Sequence, residues 1–295
     1  NSDFFNISSY LKSLLLLMKP RVMSLVIFTC AVGLLTSQTK IPLFDSLISI
    51  FFVTMGAGAA GALNMWYEAD LDKLMTRTCL RPIPSGKINR QHALIFGIVL
   101  SIISIYGLYY FSNLLSSFLL FVTIAFYIFV YTIWLKRKTP QNIVIGGAAG
   151  ALPPVIGWTI ATNSLTIEPI TFFLIIFYWT PSHFWALSLY KAEDYLKAKI
   201  PMLPITNGIE ETKKKILVYS LFMLPVIILP YIIGFTGEIF LISSLLLTFY
   251  YNYICYDLYK FKKNKFELNK AKKVFGYSIL YLFLIFVLFL IDSLI

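Results

Sequence analysis

The chain has 295 residues, of which 58% are hydrophobic and only 13% charged, with a net charge of +11. Soluble domains carry about 25% charged residues, so this composition excludes one large water-soluble core and points to transmembrane helices. The basic balance would suit nucleic acid, but the basic residues flank apolar runs; membrane orientation accounts for them, and no nucleic-acid partner is expected.

In chain order, residues 1–21 read as an N-terminal cytoplasmic or interfacial segment, with Phe4, Phe5, Ile7, Leu11 and Leu14 offering an apolar side. No small-residue cleavage site follows Leu14–Leu17, so this is not a cleavable signal. Because Asn1 is not a start methionine, an upstream piece is expected to be missing. Nine spans follow: 22–38, 43–64, 92–111, 114–134, 141–161, 169–190, 216–234, 239–256 and 274–292. Each is close to the ~20 residues that cross a hydrocarbon core. Residues 92–134 count as two spans broken near Ser112–Asn113. Threading the chain through nine spans places 24 of the 25 lysines and arginines on one side and only Lys40 on the other. That side is expected to be cytoplasmic, or the matrix side in a mitochondrion. The far-side loops carry Asp45, Glu168, Glu238 and Asp292. Cys30, Cys79 and Cys255 lack metal-ligand spacing.

A weak internal repeat is visible. Span 1 opens with Lys19-Pro20-Arg21 and span 5 with Lys136-Arg137-Lys138-Thr139-Pro140, while spans 2 and 6 both end in acidic segments. Two four-helix units of one orientation, with a ninth span added, would give this pattern. Spans 2 and 5 are also rich in small residues, Gly56–Ala62 and Gly146–Ala151. These either allow close helix packing or leave room for a bulky ligand. The seven lysines of 257–273 read as a solvated loop facing lipid headgroups.

Three constellations carry chemistry. Asn64, Glu68 and Asp72 are spaced i, i+4, i+8, which at about 100° per residue makes one helical stripe; Asp70 falls on the opposite face. Three oxygen-bearing side chains at the end of a span suit a hard divalent cation such as Mg²⁺. Arg77, Arg81 and Lys87 follow at once, and guanidinium forks match phosphate oxygens. The blander reading is a solvated loop of mixed charge. In the second constellation, His183, Tyr190 and Asp194 lie within about 20° of one helical line, flanked by Lys191 and Glu193. An ionisable residue inside a span is a functional hypothesis by default; the alternative for His183 is a structural histidine bonded within the bundle. His92 reads as a solvated cap. The third is the basic, proline-started entrance Lys136–Gly147, where an orientation anchor explains Lys138 but not Asn142 or the glycine pair.

Asn64-x3-Glu68-x3-Asp72 followed by Met75-x-Arg77-Thr78-x2-Arg81-Pro82 resembles the first aspartate-rich motif of the UbiA-type intramembrane prenyltransferases. Glu at the middle position and the Met-x-Arg-Thr sequence resemble the protoheme IX farnesyltransferase (heme O synthase) branch. The segments Thr139–Pro154, His183–Ser188, Glu193-Asp194-Tyr195 and Pro201–Pro204 are similar to the same branch. The resemblance covers about residues 19–204; the last three spans match only in hydropathy. There are two departures. Met65 stands where other members carry Asp, and Asp194 is the one firm acid of the second motif.

The resemblance implies a single membrane domain, 1–295, all-α, with nine helices around a central cavity open to the cytoplasmic side. It implies Mg²⁺-dependent transfer of the farnesyl group of farnesyl diphosphate to a vinyl group of heme B. Glu68, Asp72 and Asp194, with Asn64 as a neutral ligand, would hold Mg²⁺. Arg77, Arg81, Lys87, Lys138, Asn142, Tyr190 and Lys191 would meet substrate, and Trp66, Tyr67, Phe184 and Trp185 would line the allylic cation. His183 would orient a water or touch the porphyrin. The expected setting is the lipid bilayer of a bacterial inner membrane, with the mitochondrial inner membrane as alternative. Product handover to a heme A synthase or a terminal oxidase assembly is the partner expectation. The rivals are a UbiA-type enzyme for an aromatic or quinone-precursor acceptor, and a transporter. Transporter sites lie near the bilayer midplane, where this sequence has no acid.

Overall fold

Apolar stretches in lipid can satisfy their own backbone only as helices or closed barrels, and this chain takes the helical solution. A computed structural model describes residues 7–261 and 266–295; among these there is no strand. Phe4 and Phe5, and the lysines at 262, 263 and 265, lie outside the described residues. The helices are α1 (Ile7–Leu17), α2 (Pro20–Leu35), α3 (Leu43–Tyr67), α4 (Ala69–Leu74), α5 (Arg90–Phe111), α6 (Leu114–Ala125), α7 (Asn142–Ala151), α8 (Pro153–Thr162), α9 (Glu168–Tyr190), α10 (Ala192–Lys197), α11 (Leu203–Thr206), α12 (Ile209–Ile232), α13 (Glu238–Lys260) and α14 (Phe266–Asp292). A π-helical stretch, Phe126–Leu135, continues α6 without a break. Among the described residues, eight helical segments are long and apolar enough to cross a membrane; a ninth crossing requires α1 and α2 to count as one span bent by 54°.

All nine expected spans have a helical counterpart, but several boundaries shift. The first is α2 with only 16 residues. The seventh starts at Ile209 rather than 216. The expected loop over 257–273 is mostly two helix ends: α13 runs to Lys260, α14 starts at Phe266, and Leu258 and Ala271 are fully buried. Charge density made this stretch look like a loop. Lys260, Lys270, Lys272 and Lys273 sit on those helix ends. The N-terminal segment packs as well as floats, since Tyr10, Leu14 and Leu17 sit against Ala62, Met65 and Ala93. His92 is not a cap: Asn89 caps α5 by accepting from Gln91 N, and His92 Nδ1 lies 3.0 Å from Tyr10 Oη.

Most of the small residues serve close approach. A methyl group on Gly33 would lie 2.0 Å from the Pro154 carbonyl oxygen, and one on Gly157 1.9 Å from that of Cys30, so α2 and α8 cross backbone to backbone. Gly56 meets Leu120, Gly58 meets Met18 and Gly146 meets Tyr131. Gly150 faces open space. On the far side, Asp292 caps α13, accepting from Gly237 N at 2.8 Å and Phe240 N at 3.3 Å.

Candidate active site

The acid stripe forms where α3 ends. Glu68 joins α3 to α4 with φ −89° and ψ 9°, yet the i→i−4 bonds persist, Glu68 N to Asn64 O at 2.9 Å and Asp72 N to Glu68 O at 2.8 Å. The register therefore holds, and Asn64, Glu68 and Asp72 share one face at 1%, 2% and 0% exposure. Asp70 turns the other way, 54% exposed, and takes a bidentate guanidinium from Arg137 at 2.9 and 3.0 Å.

Each buried acceptor has a protein cation. Lys19 Nζ donates to Asn64 Oδ1 at 2.5 Å. Lys136 Nζ lies 2.5 Å from Glu68 Oε1. Arg81 Nη1 donates to both Asp72 oxygens at 2.9 Å. The π-helical stretch sets up this contact. Thr132 Oγ1 donates to Tyr127 O, five residues back, and accepts from Asn64 Nδ2 at 3.0 Å, which docks the strand of helix bearing Lys136 onto α3. Burial alone would push the Glu68 carboxyl up, but Lys136 and Lys19, with Arg81, outweigh it and hold it below the usual carboxylate range. Burial, with the Arg81 charge nearby, lowers the Lys19 ammonium to about 7, so it is the most readily neutralised of the three basic groups on the stripe.

The second motif closes over the first. The Asp194 carboxylate, 8% exposed, accepts from Thr76 N at 3.3 Å. Arg77 donates to Tyr195 Oη at 3.4 Å, with its guanidinium over that ring at 5.6 Å. Lys191 lies over the Tyr190 ring at 5.8 Å. Asn142 is fully buried; its amide donates to Thr139 O at 2.5 Å, and its Oδ1 has no partner among the described residues. Lys87 and Lys138 are exposed and form no ion pair with Glu68 or Asp72. Trp66 and Tyr67 are half-buried beneath Arg90 and Arg137 at 5.7 and 5.0 Å. Trp185, at 1% exposure, packs edge-on against Tyr219 of α12. His183 and Tyr190 both abut Phe275 of α14, whereas Asp194 turns to Thr76, because the helix breaks at Lys191 and divides the predicted line.

Lys19, Thr132, Lys136, Arg137 and Tyr195 were not among the residues singled out for the site. The repeated basic entrance before Pro20 and Pro140 was the available signal for Lys19 and Lys136, since each copy delivers one lysine to the same stripe.

Among the described residues no three acidic, histidine or cysteine side chains converge on one point, so Asp194 does not join Glu68 and Asp72 in a tight cluster. The stripe nevertheless fits a hard cation by donor chemistry: two buried carboxylates and an amide oxygen on one face, each matched by a lysine or arginine head.

The model of the UbiA prenyltransferase family matches residues 25–279. A protein named protoheme IX farnesyltransferase from Pelagibacter ubique is 71% identical over 291 residues, spanning 99% of this chain and 95% of its own length. One of the same name from Parvibaculum lavamentivorans is 48% identical over 94% of this chain and 87% of its own. Among solved structures, a digeranylgeranylglyceryl phosphate synthase superposes with a TM-score of 0.79 at 20% identity, over 96% of this chain and 98% of its own. A UbiA homologue from Archaeoglobus fulgidus, bound to GPP and Mg²⁺, superposes with a TM-score of 0.65 at 16% identity, over 93% and 99%. The acid stripe, its cations and the helical architecture thus sit in a chain that belongs to the UbiA prenyltransferase family.

Proposed function

We propose that this protein transfers the farnesyl group of farnesyl diphosphate to a vinyl group of heme B, giving heme O and diphosphate. The observation that carries the reading is the buried Asn64–Glu68–Asp72 stripe with Lys19, Lys136 and Arg81 upon it, in a chain whose relatives bear the farnesyltransferase name. Glu68 and Asp72, with Asn64, would hold Mg²⁺, which when bound supplies Lewis-acid stabilisation of the diphosphate charge; Asp194 lies apart from that set, on Thr76 N.

The remaining chemistry belongs to the side chains. Lys136 and Arg81 would turn from their carboxylate partners, and Lys19 from the Asn64 amide oxygen, to the diphosphate oxygens as the C1–O bond breaks, stabilising charge where it develops. Arg77, set against Tyr195 of the second motif, and Lys191 would close the leaving group in, with Lys87, Lys138, Asn142 and Tyr190 around its path. Trp66 and Tyr67 offer π faces to the allylic cation. The terminal vinyl carbon attacks farnesyl C1, and water adds to the neighbouring carbon, completing the hydroxyethyl group and releasing a proton. Both substrates join a large apolar body to ionic heads, which suits a site at the end of the spans. By the positive-inside rule that end is cytoplasmic, in a bacterial inner membrane.

The test is incubation of the purified protein with farnesyl diphosphate, Mg²⁺ and either reduced hemin or 4-hydroxybenzoate, with product mass as readout. The expected product is heme O alone; prenylated 4-hydroxybenzoate without heme O would overturn the acceptor assignment. Glu68→Gln and Asp72→Asn are each expected to lower turnover at least about 100-fold, the scale of losing an electrostatic stabiliser, while the protein stays folded in detergent. Full activity in either would sink the stripe's role, as would unchanged turnover after thorough chelation for Mg²⁺.

A further inference from the structure

A second cluster of positive charge lies on another side of α4, away from the acid stripe. Asp72 turns inward to Arg81. Leu71 and Leu74, with Ile200, floor a separate cavity of about 370 Å³, and Arg137, Lys197 and Lys199 form its rim. No acid lines it. Lys197 and Lys199 are exposed, and among the described residues no carboxylate pairs with either. Arg137 gives Asp70 two of its five N–H groups and keeps the others for a ligand. The rim cations therefore stand against one carboxylate, at Asp70.

Backbone geometry puts both lysines on this rim. α10 ends in a Schellman motif: Ile200 N donates to Tyr195 O and Lys199 N to Leu196 O, both at 3.0 Å. The motif needs a left-handed residue after the C-cap Ala198, and Lys199 takes that conformation at φ 51°. Glycine would adopt it without strain. The lysine side chain adds nothing to the turn; what it contributes is a charge at the cavity.

A cavity lined by cations and no acid does not hold Mg²⁺, so it does not duplicate the stripe. It fits an anion that arrives without a metal. Guanidinium and ammonium groups match phosphate oxygens, and the leucine and isoleucine floor suits a phosphate joined to an apolar body. Leu74 on α4 and Leu196 on α10 are exposed at 54% and 61%. Exposed leucines beside lysines, on short helices at the end of the spans, are the make-up of elements that lie among lipid headgroups.

We infer that Arg137, Lys197 and Lys199 form a phosphate site that takes the headgroup of an anionic phospholipid from the leaflet at this end of the bundle. The bound lipid bridges α4, which carries Asp72, to α10, which carries Asp194, and braces both from outside. The inference stands whichever acceptor the stripe serves.

The test uses the full chain in detergent, titrated with phosphatidylglycerol or phosphatidylcholine and read by native mass spectrometry and thermal melts. Phosphatidylglycerol should bind at least about 10-fold more tightly and, at equal concentration, raise the melting temperature more. Lys199→Gly removes the charge and the backbone strain together. Its lipid-free melt should not fall, while its affinity for phosphatidylglycerol should drop about 5-fold, the scale of one basic residue at an anionic surface. Combined with Lys197→Gln the loss should reach about 25-fold. Lys214→Gln, exposed on α12 at the same end, should change neither quantity. Equal affinity for the two lipids, or an unchanged preference in the Lys197→Gln/Lys199→Gly protein, overturns the inference. A second arm adds inorganic phosphate or pyrophosphate. If either displaces phosphatidylglycerol and binds these residues as tightly, the site serves a soluble phosphate and the lipid assignment is overturned.

Discussion

At the scale of single residues, the spacing 64, 68, 72 was enough to put three oxygen donors on one face, because helix geometry leaves little choice. Their partners were not readable. Lys19 and Lys136 come from 49 and 68 positions away from Glu68 in sequence, and only folding decides that both ammonium groups arrive there. The consequence is testable. Lys136→Met strands a buried Glu68 carboxylate and should cost about 3–5 kcal/mol of stability. Adding Glu68→Gln should recover much of that, read as a coupling in a double-mutant cycle of detergent melts; strict additivity would mean the pair is not formed. The pH dependence has a definite sign. Glu68 is held below its ordinary value of about 4.3, so its ion pair contributes fully above that value and is lost only as pH falls through the lower folded value. The melting gap between wild type and Glu68→Gln should close in strong acid, as pH falls through the lowered folded value of the Glu68 carboxyl.

At the scale of elements, apolar run length placed the spans well, since the bilayer thickness sets helix length. It failed where helices project beyond the slab, as at Lys260 and Ile209, because charge along a helix end reads like a loop. The π-helical stretch Phe126–Leu135 had no sequence signal; within it Thr132 donates to Tyr127 O and accepts from Asn64 Nδ2. The glycine-rich spans could be read as packing or as ligand room, and contact decides for packing at Gly56, Gly58 and Gly146. The α2–α8 crossing was not anticipated. Gly157→Ala must push the Cys30 carbonyl away and should destabilise by about 1–3 kcal/mol or more. An unchanged melting temperature would mean that the two backbones do not approach as described. Gly150→Ala, with nothing within 4 Å, is the matched control and should leave the melt within about 0.5 kcal/mol.

At the scale of the whole molecule, the acid stripe, the second motif and nearly all the positive charge share one end of the bundle. Cys79, half-buried beside Arg77 and Arg81, is the accessible thiol; Cys30 and Cys255 are buried. A membrane-impermeant maleimide should therefore label Cys79 in inside-out vesicles and not in right-side-out ones. The opposite pattern would invert the orientation.

The sequence by itself determined the helical membrane class, the approximate spans, the one-sided charge and the stripe Asn64–Glu68–Asp72, since each follows from local periodicity or from transfer energy summed along the chain. Tertiary structure decided what local rules cannot reach. It chose which distant cations neutralise the stripe, separated His183 from Asp194 at the break by Lys191, and gave Ser278 of α14 to His183 as a hydrogen-bond partner. Those contacts depend on how helices far apart in sequence pack, and no spacing within one helix encodes that.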